Sequence, residues 1–375
     1  MTLRVLQVYR TYYPECRGGL LEVIRQICIG GRPLGVENHI FALSRHPETA
    51  VKESDGIEVR WFRQDFELAG CGFSWDGLRR FKELAAWADV VHYHFPWPFA
   101  DLLHLLGRPK RPTVLTYHSD IVKQERLMYL YGPVMRRFLA SVDAIVATSP
   151  NYLATSPVLQ AFSAKTHVIP IGIDAESYPP VKPENLKRWR DRLGEGYFLF
   201  VGVIRYYKGL QFLLEAIRGT SHKVAILGGG PILGELKSFA QSHGMDNVVF
   251  LGELPDEDKV ALLKLCRGLL LPSHLRSEAF GVSLLEAAMF AKPLVTCEIG
   301  TGTSFVNVHE QTGLVVPPQD PIALRQALDR LAGSPESCQR FGDEAYRRYQ
   351  ERFTARRMAE SYLALYREIT ESCAE

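Results

Sequence analysis

Short apolar runs alternate with longer amphipathic stretches along almost the whole of this chain. Parallel strands covered on both faces read as continuous apolar runs, and each needs a helical crossover to reach the next. The rhythm therefore predicts an α/β fold of parallel sheets wrapped by helices. In the first half the strands are expected at Arg4–Tyr9, His39–Leu43, Ile57–Trp61, Val90–Tyr93, Thr113–Tyr117, Ala144–Ala147 and Thr166–Ile169. Helices are expected near Leu20–Gly30, Trp75–Trp87, Pro98–Leu106 and Lys123–Leu139. In the second half, strands at Tyr197–Val201, Lys223–Leu227, Val248–Leu251, Gly268–Leu271 and Pro293–Thr296 alternate with helices near Leu210–Ile217, Ile232–Ser242, Glu257–Leu265 and Gly281–Phe290.

A chain of 375 residues exceeds the roughly 250–300 at which a single core stops growing, so two Rossmann-like domains are expected. Asp174 to Gly196, with Pro179, Pro180, Pro183 and a run of charge, reads as the linker. The first domain would span 1–173 and the second 174–351, with a helix from about 352 to 375. Ligands of such domains bind at the carboxyl ends of their strands, so an interdomain cleft lined by strand-end loops is the expected site.

Net charge of +2 excludes the strong cationic field of a dedicated nucleic-acid binder. Lys and Arg outnumber Asp and Glu by 20 to 16 over residues 1–173, and the balance reverses after that. The seven cysteines (Cys16, Cys28, Cys71, Cys266, Cys297, Cys338, Cys373) show no Cys-x-x-Cys spacing, which argues against a disulfide framework or zinc cluster and for a reducing compartment. The opening residues lack the succession of a secretory leader, and no apolar run reaches the roughly 18 residues of a membrane span. A cytoplasmic protein, at most peripheral on a membrane, is expected.

Several strand-end segments carry polar chemistry. Thr11-Tyr12-Tyr13-Pro14-Glu15-Cys16-Arg17-Gly18-Gly19 follows the first strand, and its glycines let backbone N–H groups approach an anion or simply make a tight turn. It is not the G-x-G-x-x-G fingerprint of a dinucleotide cofactor. His118, in Thr116-Tyr117-His118-Ser119-Asp120, would enter the cleft as a polar contact or proton donor. His92 and His94 share a strand face as a metal pair does, but no third ligand has suitable spacing, so they read as cleft wall or core. Arg205 and Lys208, three apart before Gly209, suit a diphosphate or ordinary solvated surface. Gly228-Gly229-Gly230 is a nest for phosphate or a flat base, or a plain turn. Glu278 stands before a helix opened by Gly281, and Glu286 falls two turns into it among apolar residues, where a solvated role is disfavoured. Asp256-Glu257-Asp258 has a metal-like spacing but follows Pro255 at a helix start, where opposing the helix dipole is the better account.

Taken together, Gly18-Gly19, the 116–120 segment, Arg205 with Lys208-Gly209, the 228–230 turn and Glu278-x7-Glu286 resemble the GT-B-fold, family-4 retaining glycosyltransferases over essentially the whole chain. With Glu298-Ile-Gly-Thr-Gly-Thr-Ser-Phe-Val-Asn307 the pattern looks most like the bacterial mannosyl- and D-rhamnosyltransferases of lipopolysaccharide O-antigen assembly. The resemblance implies a GDP-sugar co-substrate, a polyprenyl-diphosphate-linked sugar acceptor, and neither cofactor nor bound metal. It implies that Arg205 and Lys208 hold the diphosphate and that Glu286 binds the ribose. Glu278, with the backbone at Phe280, Gly281 and Val282, would position the transferred sugar, which His118 also contacts. Gly18 and Gly19 would admit the diphosphate to the first domain, Gly229 would line the donor site, and the final helix would cross back to the first domain. The pattern departs where only Tyr206 and Tyr207 separate Arg205 from Lys208, and where Leu21 and Glu22 follow the glycines. A UDP-sugar transferase and a sugar-nucleotide epimerase are the alternatives of the same fold, and a non-catalytic nucleotide-sugar-binding subunit is the non-enzymatic one. The aromatics of Tyr93–Phe99 and the cations Arg108, Lys110 and Arg111 would suit an anionic bilayer surface, or else core and solvated loop.

Overall fold

A computed structural model describes residues 2–16, 18–46, 51–68, 70–121 and 125–372. Arg17, Lys123, Cys373 and the end of the expected final helix lie outside the described residues. The chain forms two compact units, Met1–Gly172 with Ala355–Glu375, and Ile173–Thr354.

The first unit contains β1 (Leu3–Val8), β2 (Val36–Ser44), β3 (Val51–Ser54), β4 (Ile57–Arg63), β5 (Phe66–Leu68), β6 (Cys71–Phe73), β7 (Val90–Phe95), β8 (Thr113–Tyr117), β9 (Ala144–Ala147) and β10 (Thr166–Val168). Eight of them form a sheet in the order β10-β9-β8-β7-β1-β2-β4-β3. Only β3 runs antiparallel there, on β4, while β5 and β6 make a separate hairpin. Strand order reverses beside β1, which pairs with β2 on one side and β7 on the other. The side chains of β7, β8 and β9 are buried throughout, the polar His92, His94, Thr113 and Thr116 among them.

The second unit holds β11 (Phe198–Val201), β12 (Val224–Leu227), β13 (Val248–Gly252), β14 (Gly268–Leu271), β15 (Leu294–Cys297) and β16 (Gly313–Val316). They form one parallel sheet in the order β13-β12-β11-β14-β15-β16, so its switch point lies between β11 and β14.

Residues 174–196 are not a free linker. Pro183–Leu193 is a helix, with Pro183 in its first turn where a missing N–H costs nothing. Trp189 is buried, and its Nε1 donates to Asp258 Oδ1 at 2.9 Å while Arg188 pairs with the same carboxylate. Asp258 thus ties two helices together, a role that dipole compensation at the start of Asp256–Leu265 does not describe. The prolines concealed this helix because they punctuate the sequence as a linker would.

Of the two readings of the aromatic run, bilayer surface or core, the second holds. Tyr93, Phe95, Trp97 and Phe99 are all buried, Phe95 stacking on Tyr117 with ring centroids 4.6 Å apart. Arg108, Lys110 and Arg111 are exposed, and the exposed apolar side chains of this unit include Trp75, Leu106, Tyr129 and Leu130. No described helix is long and apolar enough to cross a membrane.

The last described helix, Ala355–Ser372, packs on Gly19–Gly31. Gly30 permits this approach, since a Cβ there would stand 2.6 Å from the Ala355 carbonyl oxygen and 3.1 Å from Ala359 Cβ. Gly30→Val should therefore cost about 1–3 kcal/mol through overpacking, read as a lower urea midpoint at unchanged slope; an unaltered midpoint would refute the contact.

Candidate active site

In the second unit, the loops after β11 and β14 meet at the switch point. Arg205 to Lys208 turn through a single 3₁₀ turn, with the Lys208 amide donating to the Arg205 carbonyl at 3.0 Å. Gly209 then takes a left-handed conformation (φ 71°), and a Cβ there would lie 2.0 Å from the Pro272 carbonyl oxygen, so the two loops touch through their backbones. This contact aims Lys208 Nζ at Glu278, and the two form a buried ion pair. Ser273 Oγ donates to the same carboxylate at 3.1 Å. Burial pulls the Lys208 ammonium down, but Glu278 outweighs it and holds the pKa above the ordinary lysine range. Arg205 is exposed, and its guanidinium makes no hydrogen bond or ion pair among the described residues.

Glu278 is also fixed through its backbone, whose carbonyl accepts from Thr301 Oγ1 at 2.8 Å. Phe280 is buried, its ring edge-on to Phe353 with centroids 6.2 Å apart. Gly281 (φ 87°) caps the helix Val282–Met289 in a conformation that a side chain would strain, with Leu271 Cδ2 2.6 Å from a notional Cβ.

Glu286 is buried, as its apolar setting requires, but it is not unpartnered. Its Oε1 accepts from Lys259 Nζ at 2.8 Å and from Tyr178 Oη at 3.0 Å, and Lys259 also pairs with Asp256 at 2.9 Å. Neither Lys259 nor Tyr178 was recognisable in the sequence, one lying in a helix start attributed to capping and the other in the supposed linker. The triple glycine serves packing first: Cβ atoms at Gly228 and Gly230 would lie 2.0 and 2.1 Å from the carbonyl oxygens of Gly202 and Ile204. A Gly229 Cβ would meet Glu253 Oε1 at 2.8 Å, so a carboxylate borders that turn.

In the first unit Gly18 precedes the helix Gly19–Gly31, with open space where its side chain would stand. Glu22 is held by Tyr13 Oη at 2.9 Å, Gln26 Nε2 at 2.7 Å and Arg25 Nη1 at 3.1 Å. Pairing of Gln7 with His92 and of His94 with Thr116 puts Gln7, His92, His94, Thr116 and His118 on one sheet face, because side chains alternate with period two. On that face His92 bonds Tyr366 Oη and Thr116 Oγ1, each at 2.7 Å, and Thr116 bonds Tyr362 Oη at 2.8 Å. His94 bonds Gln7 Oε1 at 2.8 Å and His118 Nε2 at 2.9 Å. A third imidazole thus joins the pair, but the ring nitrogens of His92 and His94 are spent on these bonds instead of converging on a point. Burial lowers His118 to about 3, so its ring is neutral at neutral pH.

Residues 181–348 match the family described as "Glycosyl transferases group 1" and residues 17–177 the "Glycosyltransferase Family 4". The chain is 51% identical over 353 residues to "D-rhamnosyltransferase WbpZ" of Pseudomonas aeruginosa, covering 94% of this chain and 93% of that one. It is 48% identical over 370 residues to "O-antigen chain mannosyltransferase C" of Escherichia coli, covering 99% and 100%. Among solved structures, sucrose-phosphate synthase from Thermosynechococcus elongatus superposes with a TM-score of 0.80 at 21% identity, covering 99% and 100%. HepE from Anabaena, in complex with UDP-glucose, superposes at 0.77 and 16%, covering 98% and 100%. At such identities these two similarities speak to the fold.

The buried histidines make stability pH-dependent. Burial lowers His92 and His118 to about 3 and His104 to about 4. The unfolded chain therefore binds more protons between those values and the ordinary 6.5, so stability is full above that pH and falls as pH drops. Each histidine contributes a slope of up to about 1.4 kcal/mol per pH unit. Urea unfolding should show a falling midpoint from about pH 6.5 downward, whereas a flat profile would contradict the buried neutral rings.

Proposed function

This chain belongs to the family-4 glycosyltransferases of the GT-B fold, and from that membership we propose that it moves mannose or D-rhamnose from a GDP-sugar to a polyprenyl-diphosphate-linked saccharide, with retention at the anomeric carbon. The observation that carries the sugar assignment is the near-full-length identity to two enzymes named for D-rhamnosyl and O-antigen mannosyl transfer.

The chemistry of the second unit supports a diphosphate leaving group. Arg205 offers an unshared bidentate cation, and Lys208 sits ready to divide its charge between Glu278 and an arriving phosphate. The N–H groups at Gly281 and Val282 add donors at the start of a helix. Glu286, steadied by Lys259 and Tyr178, keeps its Oε2 for the ribose hydroxyls. Glu278 and His118 contact the transferred sugar, Gly18 and Gly19 admit the diphosphate, and Gly229 lines the donor site beside Glu253. The C1–O bond to the diphosphate breaks, the acceptor oxygen bonds C1 on the same face, and the acceptor proton leaves with the nucleoside diphosphate. Developing charge is met by side-chain cations and backbone donors, so the proposed reaction uses no bound metal.

The protein would act in the cytoplasm, touching the inner face of the membrane through Arg108, Lys110 and Arg111 without help from the buried aromatics. Sedimentation with anionic liposomes should be salt-sensitive and weakened by exchanging these three for Gln; absence of binding at low salt would remove the membrane contact.

A donor screen on a diphosphate-lipid-linked N-acetylhexosamine tests the function. Transfer from GDP-mannose or GDP-D-rhamnose is expected, while transfer from UDP-sugars alone would refute the donor assignment. Change of the donor without any acceptor would indicate an epimerase. Arg205→Ala should lower kcat/KM by about 10²–10³-fold, the usual cost of one group that stabilises developing negative charge.

A further inference from the structure

The hydrogen bonds on the polar face of the first sheet have a direction. Gln7 Nε2 donates to Asn38 Oδ1 at 2.9 Å, which turns the Gln7 carbonyl oxygen toward His94. An amide oxygen only accepts, so His94 Nε2 carries a proton. In a neutral ring the other nitrogen is then a bare lone pair, so His94 Nδ1 accepts and His118 Nε2 donates across their 2.9 Å contact. The same rule applied once more leaves His118 Nδ1 without a proton, and no described residue bonds it.

We propose that Gln7 and His94 are positioning residues that hold His118 in its Nε2–H tautomer, so that Nδ1 accepts a hydrogen bond from a substrate hydroxyl. The substrate being a sugar rests on the glycosyltransferase function proposed above; the tautomer does not.

Three observations support the fixed tautomer. The rings are immobilised by their neighbours, His94 lying 4.5 Å from His92 and 5.2 Å from His118, centroid to centroid. The far side of the chain is closed by Tyr366 and Tyr362 from the last helix and by Thr116, all neutral. No carboxylate, ammonium or guanidinium among the described residues bonds any of the three rings, so nothing there favours an imidazolium. Burial lowers all three rings, which keeps the directions intact at neutral pH. The position of His118 fits the purpose. Its backbone N–H donates to the Phe95 carbonyl at 3.0 Å just past the end of β8, where the parallel sheet stops and ligands of such sheets bind.

The test reads the tautomer directly, by two-bond proton–nitrogen correlation spectra of the full chain labelled with ¹⁵N-histidine. His118 should show a protonated Nε2 and an unprotonated Nδ1 without substrate, and its assignment comes from the His118→Asn spectrum. A protonated Nδ1, or averaged nitrogen shifts, would overturn the proposal. His94→Leu removes the acceptor and should average the His118 shifts, with kcat/KM falling about tenfold, the worth of roughly one hydrogen bond. His94→Asn returns an oxygen near the position of Nδ1, and should restore both the single tautomer and transfer to within about threefold, well inside the energy of that bond. Equal losses in both variants, or an unmoved His118 in folded His94→Leu, would make His94 a packing residue and refute the relay. Should the wild type show the stated tautomer yet transfer sugar from no GDP donor, the function fails while the relay stands.

Discussion

Parallel strands hydrogen-bonded on both sides and covered on both faces leave little room for an unpaired charge, and this constraint governs where the protein keeps its chemistry. In the second sheet the polar groups stand beyond the strand ends, where two loops touch backbone to backbone at Gly209 and Pro272. That contact places Lys208 against Glu278 out of water, a pair that is costly to assemble and more costly to leave half complete.

The first unit handles polarity differently. Instead of confining it to the strand ends, it runs a row of neutral groups through the sheet face from Asn38 to His118, each satisfied by the next. A buried row of this kind tolerates no missing member, because each unpaired donor or acceptor carries its full desolvation cost. The two units therefore meet the same constraint by different means, ion pairs such as Lys208–Glu278 and Lys259–Glu286 in one and a chain of modest bonds in the other.

Much of this was legible in the sequence. The strands Thr113–Tyr117, Ala144–Ala147 and Gly268–Leu271 fall where short, largely apolar runs lie, their shortness and their alternation with amphipathic stretches marking them as parallel strands buried on both faces. The strands β3 and β16 and the β5–β6 hairpin were not among those expected; the hairpin is largely exposed, which leaves no apolar run to read. The helix Pro183–Leu193 was hidden by proline, which marks a helix start and a linker alike. At the site, Arg205, Lys208, Glu278 and Glu286 announced themselves by residue type in a strand-end setting. Lys259 and Tyr178 did not, since their partner Glu286 is remote in sequence and only tertiary structure brings them to it. The triple glycine was legible as a turn, but its reason, the carbonyl oxygens of Gly202 and Ile204, belongs to another loop. His92 and His94 read correctly as interior, yet their bonds to Tyr366 and Gln7 depend on register between distant strands and a helix.

The last helix belongs to the first unit although the whole of the second is encoded between them. Tyr362 and Tyr366, which close the row of imidazoles, are thus made only after the whole of the second unit. The strands of the first sheet are all synthesised well before these two hydroxyls exist, so until then His92 and Thr116 lack the partners that close the row. Completion of the first unit therefore waits on synthesis of the whole of the second, and a ribosome that stalls within the second leaves a chain lacking part of the unit it began first.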